Sequence, residues 1–338
     1  MSRGIGEFEL IALLVEAVEA ARRERSASWG NQVRLGSGDD AAVTVPRGAT
    51  ATSVDALVEG VHFRHDTAPL SSVGQKALAV ALSDLAAMGA APGEAYVCLG
   101  VPDDLDAAGC GELGLGLAAM AARQGVAVLG GDVTRAPSLT LAITVVGHAS
   151  SPDQFVLRSG ARPGDILAVT GELGGAAAGL SLLERPELGD GLPERVADAL
   201  RRRELEPEPR LAAGRALAAA EATAMIDVSD GLGGDAGHVA HASGVRRVVE
   251  LKSLPVQEGV AEVATAASMD VHKLATERGE DYELLVALPP SRLDRAGEAL
   301  AAIEVALTPI GTVVEGAGVA LRAPDGSERE PVGFDQLA

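Results

Sequence analysis

The chain has 338 residues, 47% hydrophobic and only 2% aromatic, with a formal net charge of -20. That length exceeds one ordinary core and points to two domains, placed at residues 1–148 and 149–338, while the apolar content excludes a disordered chain. The acidic balance argues against a nucleic-acid partner, and the longest apolar runs, such as Leu139 to Val146, fall far short of the ~20 residues that span a bilayer, so a cytoplasmic protein with no membrane partner is expected.

Along the chain, Glu7 to Arg25 has the apolar spacing of a surface helix. Thr50 to Leu57, Glu94 to Val101, Val126 to Leu129 and Leu139 to Val146 are β-branched or apolar and predict strands. Ser71 to Met88 and Asp106 to Gln124 have helical length, the first capped by Ser71 or Ser72, with Gly89 and Gly125 as stops. Ser, Pro and Asp around His148 to Asp153 mark a domain junction. Beyond it, strands are predicted at Asp165 to Thr170, Arg246 to Leu251 and Tyr282 to Leu288. Helices are predicted at Pro193 to Arg203, Pro209 to Ala222, Leu232 to Ala242, Gly259 to Ala267 and Arg292 to Ile303. Both halves are α/β. Arg201 to Arg203 reads as a solvated helix end, and Cys98 and Cys110, with no C-x-x-C pair, read as buried small hydrophobes.

Six short acidic motifs recur beside glycine or other small residues: GDDAAV (Gly38 to Val43), SVD (Ser53 to Asp55), LSDLAAMG (Leu82 to Gly89), GGD (Gly130 to Asp132), IDVSDG (Ile226 to Gly231) and GED (Gly279 to Asp281). Each alone is ordinary turn chemistry. Their apolar flanks, however, put the acids at the ends of buried elements, where sites are usually built. Crowded carboxylates repel unless a cation sits among them, and oxygen-only ligation suits Mg2+ bridging substrate phosphates. Phosphoryl transfer follows as the chemistry.

Other chemistries find little support. There is no G-x-x-x-x-G-K-[ST], no G-x-S-x-G and no EF-hand spacing. The run TGELGGAAAG at Thr170 to Gly179 either presents free N–H groups to a phosphate or packs a helix closely on a sheet, and its spacing does not separate the two. The pairs His62 with His65 and His238 with His241 lack a third zinc ligand nearby in sequence. His62, after the strand bearing Asp55, suits contact with an anionic substrate group.

Taken in order, GEF near the N-terminus, GDDAAV, SVDALVEGVHF, KALAVALSDLAAMGA, GGDVTR, LRSGARPGD, VTGELGGAAAGL, IDVSDGLGGDAGH and GEDYELL closely resemble the thiamine-monophosphate kinase family over about Gly6 to Phe334. That family groups with aminoimidazole ribonucleotide synthetase, selenophosphate synthetase and a hydrogenase maturation factor. The resemblance implies a two-domain aminoimidazole ribonucleotide synthetase-like fold, with an N-terminal mixed α/β domain that pairs in a homodimer, a C-terminal α/β/α domain, and ATP between domains. It implies several Mg2+ ions and direct in-line transfer of the ATP γ-phosphoryl to thiamine monophosphate, with no covalent nucleophile. Position by position, Asp40, Ser53, Val54, Asp55, Asp84, Asp132, Asp227 and Asp230 fall on metal positions. Gly131, Asp132, Arg158 and Ser229 fall on ATP contacts, and His62, Glu280 and Phe334 on the acceptor pocket, with Asp39 and Asp235 beside them.

The sequence departs from the family at Val54, where a Thr is usual, at Thr276-Glu277-Arg278 before GED, at EPEPR (Glu206 to Arg210), and in the GFDQL tail. These departures concentrate on the acceptor side. The alternatives are a related kinase for another small phosphorylated acceptor and a non-catalytic ATP-binding regulatory homologue.

Overall fold

The structure, a computed structural model, describes residues 16, 32–36, 41–46 and 48–331. Apart from Glu16, the helix expected at Glu7 to Arg25 lies outside the described residues, as do Asp39, Asp40 and Phe334. The chain divides into two compact units, one of the described residues in Met1–Leu85 and Ala90–Pro152, the other of those in Ala86–Gly89 and Asp153–Ala338.

In the first unit β1 (Gln32–Leu35) pairs antiparallel with β2 (Val43–Val45). A four-stranded sheet is built from β3 (Ala49–Val58), β4 (Ala91–Val101), β5 (Ala127–Arg135) and β6 (Thr140–Ala149), in the order β3-β6-β4-β5. Only β4 and β5 run parallel. Their connection is a helix, as parallel neighbours require. The pleat puts Leu57, Leu141, Ile143 and Val145 on a buried face, where α1 (Leu70–Ala87) lies, and turns Val54 outward at 64% exposure.

Helix α2 (Ala107–Gln124) starts and stops as its sequence predicts: Asp106 Oδ1 accepts the Gly109 N–H at 2.9 Å, and Gly125 closes the helix at φ 72°. Helix α1 starts differently. It opens at Leu70 directly behind Pro69, whose carbonyl takes the Val73 N–H at 3.0 Å, so Ser71 and Ser72 lie inside the first turn rather than capping it. The two helices meet so closely that a Cβ on Gly116 would sit 1.8 Å from the Ser71 carbonyl oxygen.

The second unit carries a seven-stranded sheet, β13-β12-β9-β11-β7-β10-β8, made of β7 (Ile166–Thr170), β8 (Ala224–Asp227), β9 (Arg246–Glu250), β10 (Leu284–Leu288), β11 (Leu307–Val314), β12 (Gly318–Arg322) and β13 (Glu328–Arg329). The pairing is antiparallel except between β12 and β9. The helices are α3 (Gly175–Glu184), α4 (Glu194–Leu205), α5 (Leu211–Ala219), α6 (Leu232–Ser243), α7 (Val260–Ala266), α8 (Val271–Glu277) and α9 (Leu293–Ala301). Leu167, Val169, Ile226 and Leu285 on one sheet face pack with Leu232, Ala236 and Val239 of α6. The alternate residues Ala168, Val286 and Leu288 are equally buried on the other face. Helices α3, α4 and α7 form their own cluster through Leu182, Leu200 and Val263. A strand buried on both faces reads as a continuous apolar run, as β10 does.

The periodicity did not predict β8, β11, β12 or α8. β8 is hidden behind the alanine-rich α5, and β11 is interrupted by Pro309 and Gly311, where its register with β7 shifts. Among the described residues no helix is long and apolar enough to cross a membrane.

The contact at Gly116 predicts that Gly116→Ala, otherwise favourable in a helix, forces α1 from α2 and costs about 1–3 kcal/mol. Calorimetry should show a melting temperature lowered by several degrees; a temperature equal to or above wild type would rule out the close approach.

Candidate functional site

In the first unit, strand alternation brings Ser53 and Asp55 to the face covered by α1, and Ser53 Oγ donates a hydrogen bond to Asp84 Oδ2 of that helix. Three predicted positions therefore share one side of the sheet. Val54, between the first two, faces away and supplies no side-chain ligand there. Asp132 does not join them. The register runs Asp55–Ile143–Val97–Gly131 across the sheet, whereas Asp132 aligns with Cys98, Ala142 and Ala56 on the exposed face at the far edge. Gly131 has a packing reason of its own: a Cβ there would lie 1.8 Å from the Val97 carbonyl oxygen. Cys110 is buried, its thiol pushed up by desolvation, but Cys98 is exposed on the outer face, contrary to the expectation for both cysteines.

His62 follows β3 in a tight turn in which its Nδ1 accepts the Val58 N–H at 3.1 Å. With Nδ1 accepting, the neutral ring carries its proton on Nε2 and presents a donor. Its sequence neighbour His65 instead lies 3.2 Å from Glu59.

In the second unit, Asp227 ends β8, and Ser229 and Asp230 form the turn into α6, which opens at Leu232 behind Gly231. Asp235, one turn into α6 and only 1% exposed, accepts the Asp230 N–H at 3.1 Å. Burial, then the charges of Asp227 and Asp230, push the Asp235 carboxyl up to about 8. Carboxylates of Asp230 and Asp235 and the imidazole of His238 lie close enough to share one ion, within 4.8 Å of one another. The donors in both units are predominantly hard oxygens, and the mutual repulsion at Asp235 is what a divalent cation would relieve, so the residues fit Mg2+.

The GED loop lies directly on this turn. Glu280 N–H donates to the Ser229 carbonyl at 2.9 Å, Tyr282 N–H to the Val228 carbonyl at 2.9 Å, and Val228 N–H to the Glu283 carbonyl at 2.7 Å. A Cβ at Gly279 would sit 1.7 Å from the Ser229 oxygen, so only glycine permits the approach. Glu280 and Ser229, predicted separately, are thus brought together. Arg158 is exposed on the segment before β7, where Ser243 Oγ donates to its carbonyl at 3.1 Å.

Sequence reasoning missed three groups here. Asp281, buried, accepts the N–H groups of Gly174 and Ala176 at 2.7 and 3.2 Å, so the glycine-rich start of α3 holds the protein's own carboxylate rather than a phosphate. Desolvation pushes that carboxyl up to about 6. Glu283, 0% exposed, pairs with Arg203 and Arg210. Arg203 therefore turns inward, unlike the solvated end expected for the arginine run; it lies three residues beyond the buried Leu200, on the inner face of α4. Spacing from Leu200 was the available signal.

Two family models match in succession: AIR synthase related protein, N-terminal domain, over residues 38–149, and AIR synthase related protein, C-terminal domain, over residues 162–323. The thiamine-monophosphate kinase of Escherichia coli (strain K12) is 38% identical over 311 residues, covering 90% of each chain. That of Mycobacterium tuberculosis (strain H37Rv) is 39% identical over 283 residues, covering 83% of this chain and 80% of the relative. Among solved structures, the thiamine-monophosphate kinase from Stenotrophomonas maltophilia K279a matches with a TM-score of 0.82 and 35% identity over 94% of this chain and 97% of that one. AaThiL complexed with AMPPCP and TMP matches with a TM-score of 0.75 and 30% identity over 97% and 96%. With its relatives matched nearly end to end, the chain belongs to the thiamine-monophosphate kinase family.

Proposed function

We propose that this chain transfers the γ-phosphoryl group of ATP directly to thiamine monophosphate, giving thiamine diphosphate and ADP. The observation that carries this reading is the match over almost the whole chain to a protein solved with an ATP analogue and TMP bound. No covalent nucleophile is needed. In such a reaction the protein mainly positions the substrates and offsets charge.

Residues 1–148 act as the metal- and ATP-binding domain and residues 149–338 as its C-terminal companion. Ser53, Asp55 and Asp84 in the first, and Asp227 and Asp230 in the second, would hold Mg2+, joined by Asp40. Bound Mg2+ supplies charge neutralisation at the nucleotide's phosphate oxygens. Arg158 offers a bidentate contact to phosphate and Ser229 a hydroxyl to the nucleotide. His62 donates from Nε2 to the anionic end of the acceptor, and Glu280 and Phe334 line its pocket. The chain works as a homodimer paired through the outer sheet face, where Val54, Ala56 and Cys98 are exposed.

With Mg-ATP and thiamine monophosphate, purified protein should form thiamine diphosphate and ADP in equal amounts, and EDTA should abolish the reaction. Asp55→Asn should lower kcat by about 100-fold or more with the melting temperature nearly unchanged. Absence of product from folded wild type would remove the kinase assignment, and a near-normal Asp55→Asn would remove Asp55.

Asp235 gives a pH prediction for the metal-free protein. Its folded-state carboxyl at about 8, against an ordinary 3.8, favours the folded state at low pH, a contribution lost as pH rises between those values. The melting temperature of EDTA-treated wild type should therefore fall more steeply from pH 5 to 8.5 than that of Asp235→Asn. Parallel curves would contradict the raised Asp235 carboxyl.

For the dimer, Val54→Glu should shift the sedimenting species from dimer to monomer, because an unpaired charge would be buried at the interface. An unchanged dimer would place the interface elsewhere.

A further inference from the structure

Glu283 takes no direct part in the proposed chemistry, yet it is a fully buried acid with both carboxylate oxygens bonded. Its Oε1 accepts from Arg203 Nη2 and, at 2.6 Å, from Arg210 Nη2; its Oε2 accepts from Arg210 Nε at 2.7 Å and Thr170 Oγ1 at 2.6 Å. Thr170 Oγ1 in turn accepts the Leu284 N–H at 2.8 Å. Burial alone would raise the carboxyl, but the Arg203 charge and the Arg210 hydrogen bonds outweigh it and hold Glu283 below the usual range. Such a cluster adds little net stability compared with apolar residues of similar volume. What it adds is direction: a side-on arginine fork fixes a carboxylate's position and orientation together.

The chain leading to Glu283 needs that direction. Glu280 and Tyr282 both have left-handed backbone, φ 68° and 50°, a conformation that costs a non-glycine residue on the order of 1 kcal/mol or more and persists only where the surroundings impose it. Asp281 between them is tied to the start of α3, and Glu283 after them to α4 and the segment before α5. The side chain of Glu280 is thus aimed by anchors that follow it in sequence.

We propose that Glu283, held by Arg203 and Arg210, is a positioning residue for the acceptor: it locks the 279–283 loop onto the 228–230 turn so that Glu280 is presented beside Ser229 in the geometry that thiamine monophosphate requires. The proposal rests on the kinase reading above. It differs from a purely structural role in predicting an effect confined to one substrate.

Calorimetric titration separates these cases. Glu283→Gln keeps the volume but removes the charge; it should weaken binding of thiamine monophosphate to the AMPPCP-loaded protein by about tenfold or more, while leaving the affinity for AMPPCP alone within about threefold. In turnover, KM for the acceptor should rise more than KM for ATP. Arg210→Lys, which retains the charge but not the fork, should show the same selectivity more weakly, and it carries the test if Glu283→Gln does not fold. Wild-type acceptor affinity in either variant, or equal losses for both ligands, overturns the positioning role. Wild type that binds AMPPCP but not thiamine monophosphate overturns the acceptor reading and this proposal with it, whereas wild type that binds both while the folded variants are unaltered overturns this proposal alone.

Discussion

Repulsion between neighbouring carboxylates is the constraint to which the second unit answers. Asp227, Asp230, Asp235, Asp281 and Glu283 all sit at or beside the ends of β8 and β10. Two are answered from within: Asp281 by the opening N–H groups of α3, Glu283 by two guanidinium groups and a hydroxyl. In the Asp227, Asp230 and Asp235 group, burial and then the charges of its two neighbours raise the Asp235 carboxyl, although it accepts the Asp230 N–H. Chemically similar residues thus meet different surroundings: guanidinium groups and N–H donors hold Asp281 and Glu283, whereas Asp235 is crowded by two further carboxylates, whose repulsion a cation would relieve.

The first unit sorts by geometry instead. Alternation along β3 sends Ser53 and Asp55 to one face and Val54 to the other, and the register carries that division across to β5, where Asp132 falls on the outer side. Residues close together in the motif order are therefore not equivalent in space. The same outer face carries the exposed Cys98 and Val54, so its apolar character and its acidic edge belong to one surface.

Much of this was legible in the sequence, for reasons that can be stated residue by residue. β3, β4 and β6 declare themselves through β-branched runs, and α2 through Asp106 and Gly125, because local chemistry suffices there. The expected place of the acids at element ends holds for Asp227, which closes β8, but Asp55 and Asp132 lie within β3 and β5. What could not be read was which acids the fold consumes. Asp281 and Asp230 look alike in a motif, and only the tertiary contact with Gly174 and Ala176 distinguishes them. Arg203 and Cys98 erred in opposite directions: charge suggested solvent where α4 turned inward, and apolarity suggested a core where the sheet face lay open. β11, with Pro309 and Gly311 inside it, is a strand by virtue of its neighbours.

The left-handed residues of the GED loop also bear on the order in which the unit assembles. Bonds that offset the cost of φ 68° at Glu280 and 50° at Tyr282 come from Val228, Ser229, α3 and the two arginines, which are distant in sequence. Until β8 has paired with β10 and α4 has docked, the loop has no reason to hold its shape. Its shape therefore forms with the tertiary contacts that impose it and not ahead of them, although each strained residue is local.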